Sequence, residues 1–148
     1  MFTRIVVGTD GSETATEAVR QAAELAKVAG ATLHIVSAYN TGAQVRSGGE
    51  ERLERPADVP LTDAGREQVN FALDSASGVA KRSGIEVQAH SQEGDPADAI
   101  IDVAEQVNAD LIVVGNKGMT GARRFLLGSV PNKVSHHAPC SVIIIRTT

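Results

Sequence analysis

Leu111-Ile112-Val113-Val114-Gly115-Asn116-Lys117-Gly118, followed after nine residues by Gly128-Ser129, decides how this chain is read. The run Leu111 to Val114 is short, continuous and rich in β-branched residues, which fits a strand buried on both faces. The glycines behind it let backbone N–H groups approach an anion closely. Gly128-Ser129 also precedes an expected helix, whose free N–H groups and positive dipole end attract phosphate. The spacing predicts a phosphate site at the end of a buried strand.

Working outward, strand and helix alternate. Arg4 to Thr9, Thr32 to Tyr39, Ile85 to Ser91, Asp110 to Gly115 and Ser141 to Arg146 carry β-branched runs. The first, fourth and fifth are nearly continuous, so each is expected to be buried on both faces. Ala15, Ala18, Val19, Ala22, Ala26 and Ala29 keep helical spacing, with Thr14 and Glu17 forming a capping box and Gly30 a stop. Val69, Leu73, Ala76 and Ala80 form a second stripe ending at Gly84. Ala97, Ile100, Ile101, Ala104 and Val107 form a third behind Asp95-Pro96 as cap and first turn, and a short fourth helix is expected from Val130 to His137. Regular alternation predicts an α/β fold, a single-domain open five-stranded parallel sheet with helices on both faces, Rossmann-like.

Composition bounds the function. The 148 residues make one domain, 1–148, large enough to bury a core without metals or disulfides. A net charge of −4 and 3% aromatic residues argue against a nucleic-acid partner. The lone Cys140 fits a small buried hydrophobe, and no apolar stretch reaches membrane-spanning length, so a cytoplasmic location and no membrane partner are expected. Residues 40–60 hold glycines, prolines and charges with few large apolar groups, and are expected to form a mobile loop after the second strand.

In an open parallel sheet, ligands bind beyond the carboxyl ends of the strands where strand order reverses. The glycine set points there, and so does Gly8-Thr9-Asp10-Gly11-Ser12, which ends the first strand and opens the first helix. Asp10 has two readings of equal weight. Its carboxylate holds a magnesium ion on phosphate oxygens or bonds a nucleotide sugar, or the segment is a tight turn with Asp or Ser capping the helix.

Val7-Gly8-Thr9-Asp10-Gly11-Ser12, Gly94-Asp95-Pro96, Val113-Val114-Gly115-Asn116-Lys117-Gly118 and Leu127-Gly128-Ser129-Val130, in that order, resemble the universal stress protein family over almost the whole chain. The Gly-x2-Gly-x9-Gly-Ser pattern is similar to that of an ATP-binding subgroup, whose fold is the adenine nucleotide alpha hydrolase-like variant of the Rossmann sheet. The resemblance implies that Gly115, Gly118, Gly128 and Ser129 hold ribose and phosphates with help from the Val130 N–H. It places Asp10 beside the ribose and the metal, and the adenine near Ala38 and the Gly94-Asp95-Pro96 turn. The implied cofactors are ATP and Mg²⁺ carried on its phosphates. The implied function is a stress-response regulator that binds adenine nucleotide with little or no turnover, its downstream partner unspecified.

The alternatives are a cyclic AMP sensor at the same site and a slow ATP-hydrolysing enzyme. Related ATP pyrophosphatases carry Ser-Gly-Gly-x-Asp-Ser after the first strand, and Thr9-Asp10-Gly11-Ser12-Glu13-Thr14 departs from it. No residue at a motif position is suited to orient an attacking water. Lys117, Arg123, Arg124 and Lys133 make a local basic cluster, read equally as anion-attracting and as solvated charge. Adjacent His136 and His137 diverge around a helix and suit its C-terminus, while His34 and His90 lack a carboxylate or Cys at metal-site spacing. The last strand, Ser141 to Arg146, is an apolar sheet edge, which predicts a homodimer paired through it, similar to the family dimer.

Overall fold

Ile5, Val6 and Val7 are entirely shielded from solvent and Leu111 to Val114 almost entirely, as apolar runs between two layers of helix must be. The computed structural model describes residues 1–39, 61–116 and 127–147. In chain order these form β1 (Arg4–Gly8), α1 (Glu13–Ala29), β2 (Thr32–Tyr39), α2 (Leu61–Lys81), β3 (Val87–Glu93), α3 (Pro96–Gln106), β4 (Leu111–Gly115), α4 (Ser129–His137) and β5 (Ser141–Ile145). The strands make one sheet of order β3-β2-β1-β4-β5, parallel at every pairing. The α/β fold expected from the alternation of elements is present.

Side-chain alternation divides the core in two. Ile5, Val7, Leu33, Ile35, Leu111 and Val113 face α1 and α2, meeting Ala18, Val19, Ala22, Leu73 and Ala76. Val6, Val36, Ile112 and Val114 face α3 and α4, meeting Ile100, Val103, Ala104 and Val134. At the amino ends of the strands the Asp110 carboxylate fastens β4 to β1. It accepts the Thr3 N–H at 2.9 Å, the Thr3 hydroxyl at 3.0 Å and the Arg4 N–H at 3.1 Å. Partial burial opposes the charge on Asp110, but these donors outweigh it and hold its pKa below the ordinary value.

Three expectations are corrected. The capping box on Thr14 and Glu17 does not form, because the helix begins earlier: Ser12 is the N-cap and its Oγ accepts the Ala15 N–H at 3.2 Å. Glu17 instead binds Arg20 and Gln21, each at 2.7 Å, and these donors bring its pKa down to about 2. The third strand starts at Val87 and runs to Glu93, two residues beyond the expected span, because it follows β2 along its length, Leu33 opposite Val87 and Tyr39 opposite Glu93. An edge strand needs no apolar alternation to keep that ladder. The fifth strand is not buried on both faces: it pairs with β4 alone among the described strands, and Ile144 is 37% exposed. The other signals hold, with Gly30 left-handed at φ 72° ending α1 and Asp95 capping α3 ahead of Pro96. Residues 40–60 lie outside the described residues.

The two strand histidines meet. His90 lies opposite Val36, two residues along from His34, and His34 Nδ1 is 3.0 Å from His90 Nε2 with ring centroids 5.2 Å apart. The rings therefore point nitrogen to nitrogen, an arrangement that needs one nitrogen protonated and the other bare. Burial lowers both pKa values; for His34 the neighbouring His90 and Arg4 lower it further, while Glu86 opposes them. A depressed histidine stays neutral in the fold and takes up a proton on unfolding, so stability is complete above the unfolded value of 6.5 and falls as the pH drops below it. Urea midpoints measured from about pH 7.5 to about pH 5 should fall with acidification, and the double variant His34→Gln, His90→Gln should flatten the slope. An unchanged slope in the variant contradicts the assignment.

Candidate functional site

The chain builds outward from β1 to β2 and β3, then returns to β4 on the other flank of β1 and on to β5. The order reverses at β1, and a crevice opens at the carboxyl ends of β1 and β4. A cavity of about 130 Å³ occupies this position. Gly8, Thr9 and Asp10 wall it from β1, Val36 and Ala38 from β2, Val114 and Gly115 from β4, Pro96 and Ile100 from α3, and Val130 and Pro131 from α4. The volume is below the ~300–1,000 Å³ typical of pockets that enclose a whole drug-sized ligand, so it suits part of a ligand such as a base or sugar.

The turn after β1 is held by its own polar groups. The buried Thr9 donates its N–H to the Val36 carbonyl at 2.9 Å, and its Oγ1 accepts the Gly11 N–H at 3.1 Å. Asp10 Oδ1 accepts the Ser12 N–H at 2.9 Å. Gly11 sits at φ +85°, where a side chain is strained, and a Cβ there would lie 3.3 Å from Ala72 of α2. At Gly8 a Cβ would stand 2.5 Å from Ile100 Cδ1, so the missing side chain lets α3 close on the sheet. Both sequence readings of Asp10 thus describe it: its carboxylate forms the tight turn, Ser12 supplies the cap, and Asp10 still borders the cavity.

Beyond β4 the chain is anchored at Asn116, whose carbonyl accepts the Gly128 N–H at 2.9 Å. This bond brings Gly128 and the start of α4 back to the end of β4. Gly128 is the N-cap with φ −66° and ψ 171°, a conformation open to any residue, and it offers no side-chain cap. Ser12 caps α1 and Asp95 caps α3, whose Ala97 and Asp98 N–H groups it accepts, each at 3.1 Å. Of α1, α3 and α4, only α4 therefore has an N-cap residue that supplies no side-chain bond to its first N–H groups, the groups an anion seeks. Pro131 in its first turn has no N–H to satisfy.

Of the residues singled out from the sequence, Asp10, Ala38, Gly115 and Val130 line the cavity together. Gly128 and Ser129 stand at its edge as the N-cap and first residue of α4, adjoining Val130. Gly118 lies outside the described residues, as do Lys117, Arg123 and Arg124. The Lys133 ammonium lies 3.0 Å from Asp98 and 3.5 Å from Asp95, and its pKa is raised chiefly by the Asp98 bond. His136 and His137 are exposed in the last turn of α4. Among the described residues no three His, Cys, Asp or Glu groups converge as a metal site. Sequence reasoning missed Ala15, Val36, Ile100 and Pro131 as lining residues. The two-residue step from Ala38 along β2 points to Val36, whereas Ile100 was read only as part of a buried helix stripe.

The sheet order, with a crevice at its switch point and a helix start beside it, is that of an open, doubly wound α/β protein. Residues 1–146 match the model of the universal stress protein family, and the chain belongs to that family. A universal stress protein of Mycobacterium tuberculosis is 36% identical over 152 residues, covering 99% of this chain and 98% of that one. A universal stress protein solved in complex with cAMP superposes with a TM-score of 0.75 at 31% identity, covering 99% of this chain and 98% of the other. The universal stress protein of Archaeoglobus fulgidus in complex with dAMP gives 0.69 at 28% identity over 97% and 98%.

Proposed function

We propose that this protein binds an adenine nucleotide, ATP in the leading reading, in the crevice between β1 and β4 and acts by binding rather than by turnover. The observation that carries the reading is the uncapped start of α4 held beside Gly115 at the mouth of a cavity that also meets Asp10 and Ala38. An apolar compartment of Val36, Ala38 and Ile100 suits a planar base, whose edge backbone groups near Ala38 can read. Gly115, Gly118, Gly128 and Ser129 then take ribose and phosphates, with the Val130 N–H among the donors. Relatives solved with cAMP and dAMP support an adenine nucleotide in general. The cAMP complex makes a cyclic AMP sensor the second reading.

Asp10 fits a magnesium ion carried on the phosphates. Mg²⁺ keeps most of its waters and asks for one or two protein carboxylates alongside phosphate oxygens, and Asp10 is the one carboxylate among the described residues lining the cavity. The metal supplies charge neutralisation. Hydrolysis also requires a group that orients water, and no described lining residue besides Asp10 is ionisable. The reading is binding without rapid turnover, as part of a regulatory role in a cytoplasmic stress response with a protein partner downstream.

Mass spectrometry of ligand released from freshly purified protein separates ATP, cyclic AMP and an empty site. Calorimetry should then give magnesium-dependent ATP binding that Gly118→Val weakens sharply, because a branched side chain intrudes where phosphate meets backbone. Phosphate release should stay well below ~1 s⁻¹. Equal ATP affinity in wild type and variant places the nucleotide elsewhere, and turnover above that rate abolished by Asp10→Asn makes the protein an enzyme.

β5 is the proposed homodimer seam. Its residues Val142 to Ile145 are apolar, Ile144 is exposed, and among the described residues no strand pairs with its outer edge. An apolar edge of this kind is a template for pairing with its own copy. Ile144 suits the test better than Ile143, which packs on the core. Light scattering should give twice the chain mass for the wild type and the chain mass for Ile144→Lys. A monomeric wild type, or an unchanged variant, removes the seam.

A further inference from the structure

Asn116 makes contacts that the glycine pattern does not account for. Its N–H donates to the Ile145 carbonyl at 2.8 Å, continuing the ladder between β4 and β5, and its carbonyl accepts the Gly128 N–H. Its side-chain Oδ1 accepts both the Thr147 N–H at 2.8 Å and the Thr147 hydroxyl at 3.0 Å. One residue thus ties together the end of β4, the residue that opens α4, and the segment following β5.

We propose that Asn116 is a positioning residue for the phosphate end of the ligand, with Thr147 as the strap that holds it; this rests on the adenine-nucleotide reading. The Gly128 N–H finds its acceptor in the Asn116 carbonyl, and Gly128, as N-cap, gives no side-chain bond to the helix that begins one residue later. Any tilt of the Asn116 peptide therefore moves the first N–H groups of α4. Two bonds from Thr147 to Oδ1 restrain that tilt from the far side of the residue. Preorganised donors bind an anion better than donors that must be ordered on binding, so the strap contributes to affinity without touching the ligand. The base end is insulated from this effect. Ala38 lies on β2 and Asn116 follows β4, with β1 between them, a separation of about two strand spacings or ~10 Å.

Calorimetry with MgATP and with adenosine tests the proposal, because adenosine shares the base and sugar and lacks the phosphates. Asn116→Ala should weaken MgATP about tenfold and adenosine less than about twofold. Thr147→Val, a milder change outside the sheet that guards against a folding failure, should shift MgATP in the same direction by less, since its N–H remains. Thr147→Ser, which keeps the hydroxyl, should restore most of the affinity. The pair Asn116→Ala, Thr147→Val should be no worse than Asn116→Ala alone, because both remove the same contact. Equal losses for the two ligands, or unchanged MgATP affinity, overturn the positioning role while leaving nucleotide binding intact. A wild type that binds neither ligand overturns the nucleotide reading and the proposal with it.

Discussion

The parallel pairing of β1 with β4, in register from Ile5 opposite Leu111 to Val7 opposite Val113, joins strands that the chain visits far apart. Its side chains are apolar on both faces and lose essentially all contact with water, a contribution of about 1.5–3 kcal/mol for each large residue. The Asp110 carboxylate locks the same pair at its amino end through Thr3 and Arg4. With that end closed, the strands part only at their carboxyl ends, where the chain turns to α1 on one side and toward α4 on the other. The crevice is a geometric result of this topology, and its lining residues are those that happen to end or follow the central strands.

Chemistry at the crevice is set by which helix starts are already satisfied. Ser12 and Asp95 use their side chains to cap α1 and α3, and Asp95 with Asp98 also engages Lys133. The N-cap of α4, Gly128, supplies no such side-chain bond, and the Asn116 to Gly128 bond keeps the start of α4 at the end of β4. Negative charge on a ligand is favoured there, and an apolar body beside Val36 and Ile100. Among the described residues, polar groups nearest the cavity also serve the turn after β1: Thr9 Oγ1 accepts the Gly11 N–H and Asp10 Oδ1 the Ser12 N–H.

Much of this was legible in the sequence because burial leaves a direct trace. Ile5 to Val7 and Leu111 to Val114 read as central strands, and Gly30 and Asp95-Pro96 marked helix ends through local chemistry. Motif and topology directed Asp10 and Gly115 to one end of the sheet, the family resemblance added Ala38 and Val130, and all four line the cavity there. What escaped depends on partners distant in the chain. Thr14 with Glu17 matches a capping box, yet Ser12 two residues earlier takes the cap, and local pattern cannot rank two adequate caps. The apolar content of β5 resembles that of a strand buried on both faces, and only the packing around it shows that it is partly exposed. The meeting of His34 with His90 needs the β2 and β3 register, and the bond of Asn116 to Thr147 needs the end of β5 beside β4.

The account depends on where the proposed nucleotide binds. Amide chemical-shift mapping by NMR during titration with MgATP reads it without a substitution. The largest changes should fall at Gly8 to Ser12, Ala38, Gly115 and Gly128 to Val130, with the outer face of α2 undisturbed. Changes centred on α2 or the β3 edge, or none at saturating nucleotide, contradict it.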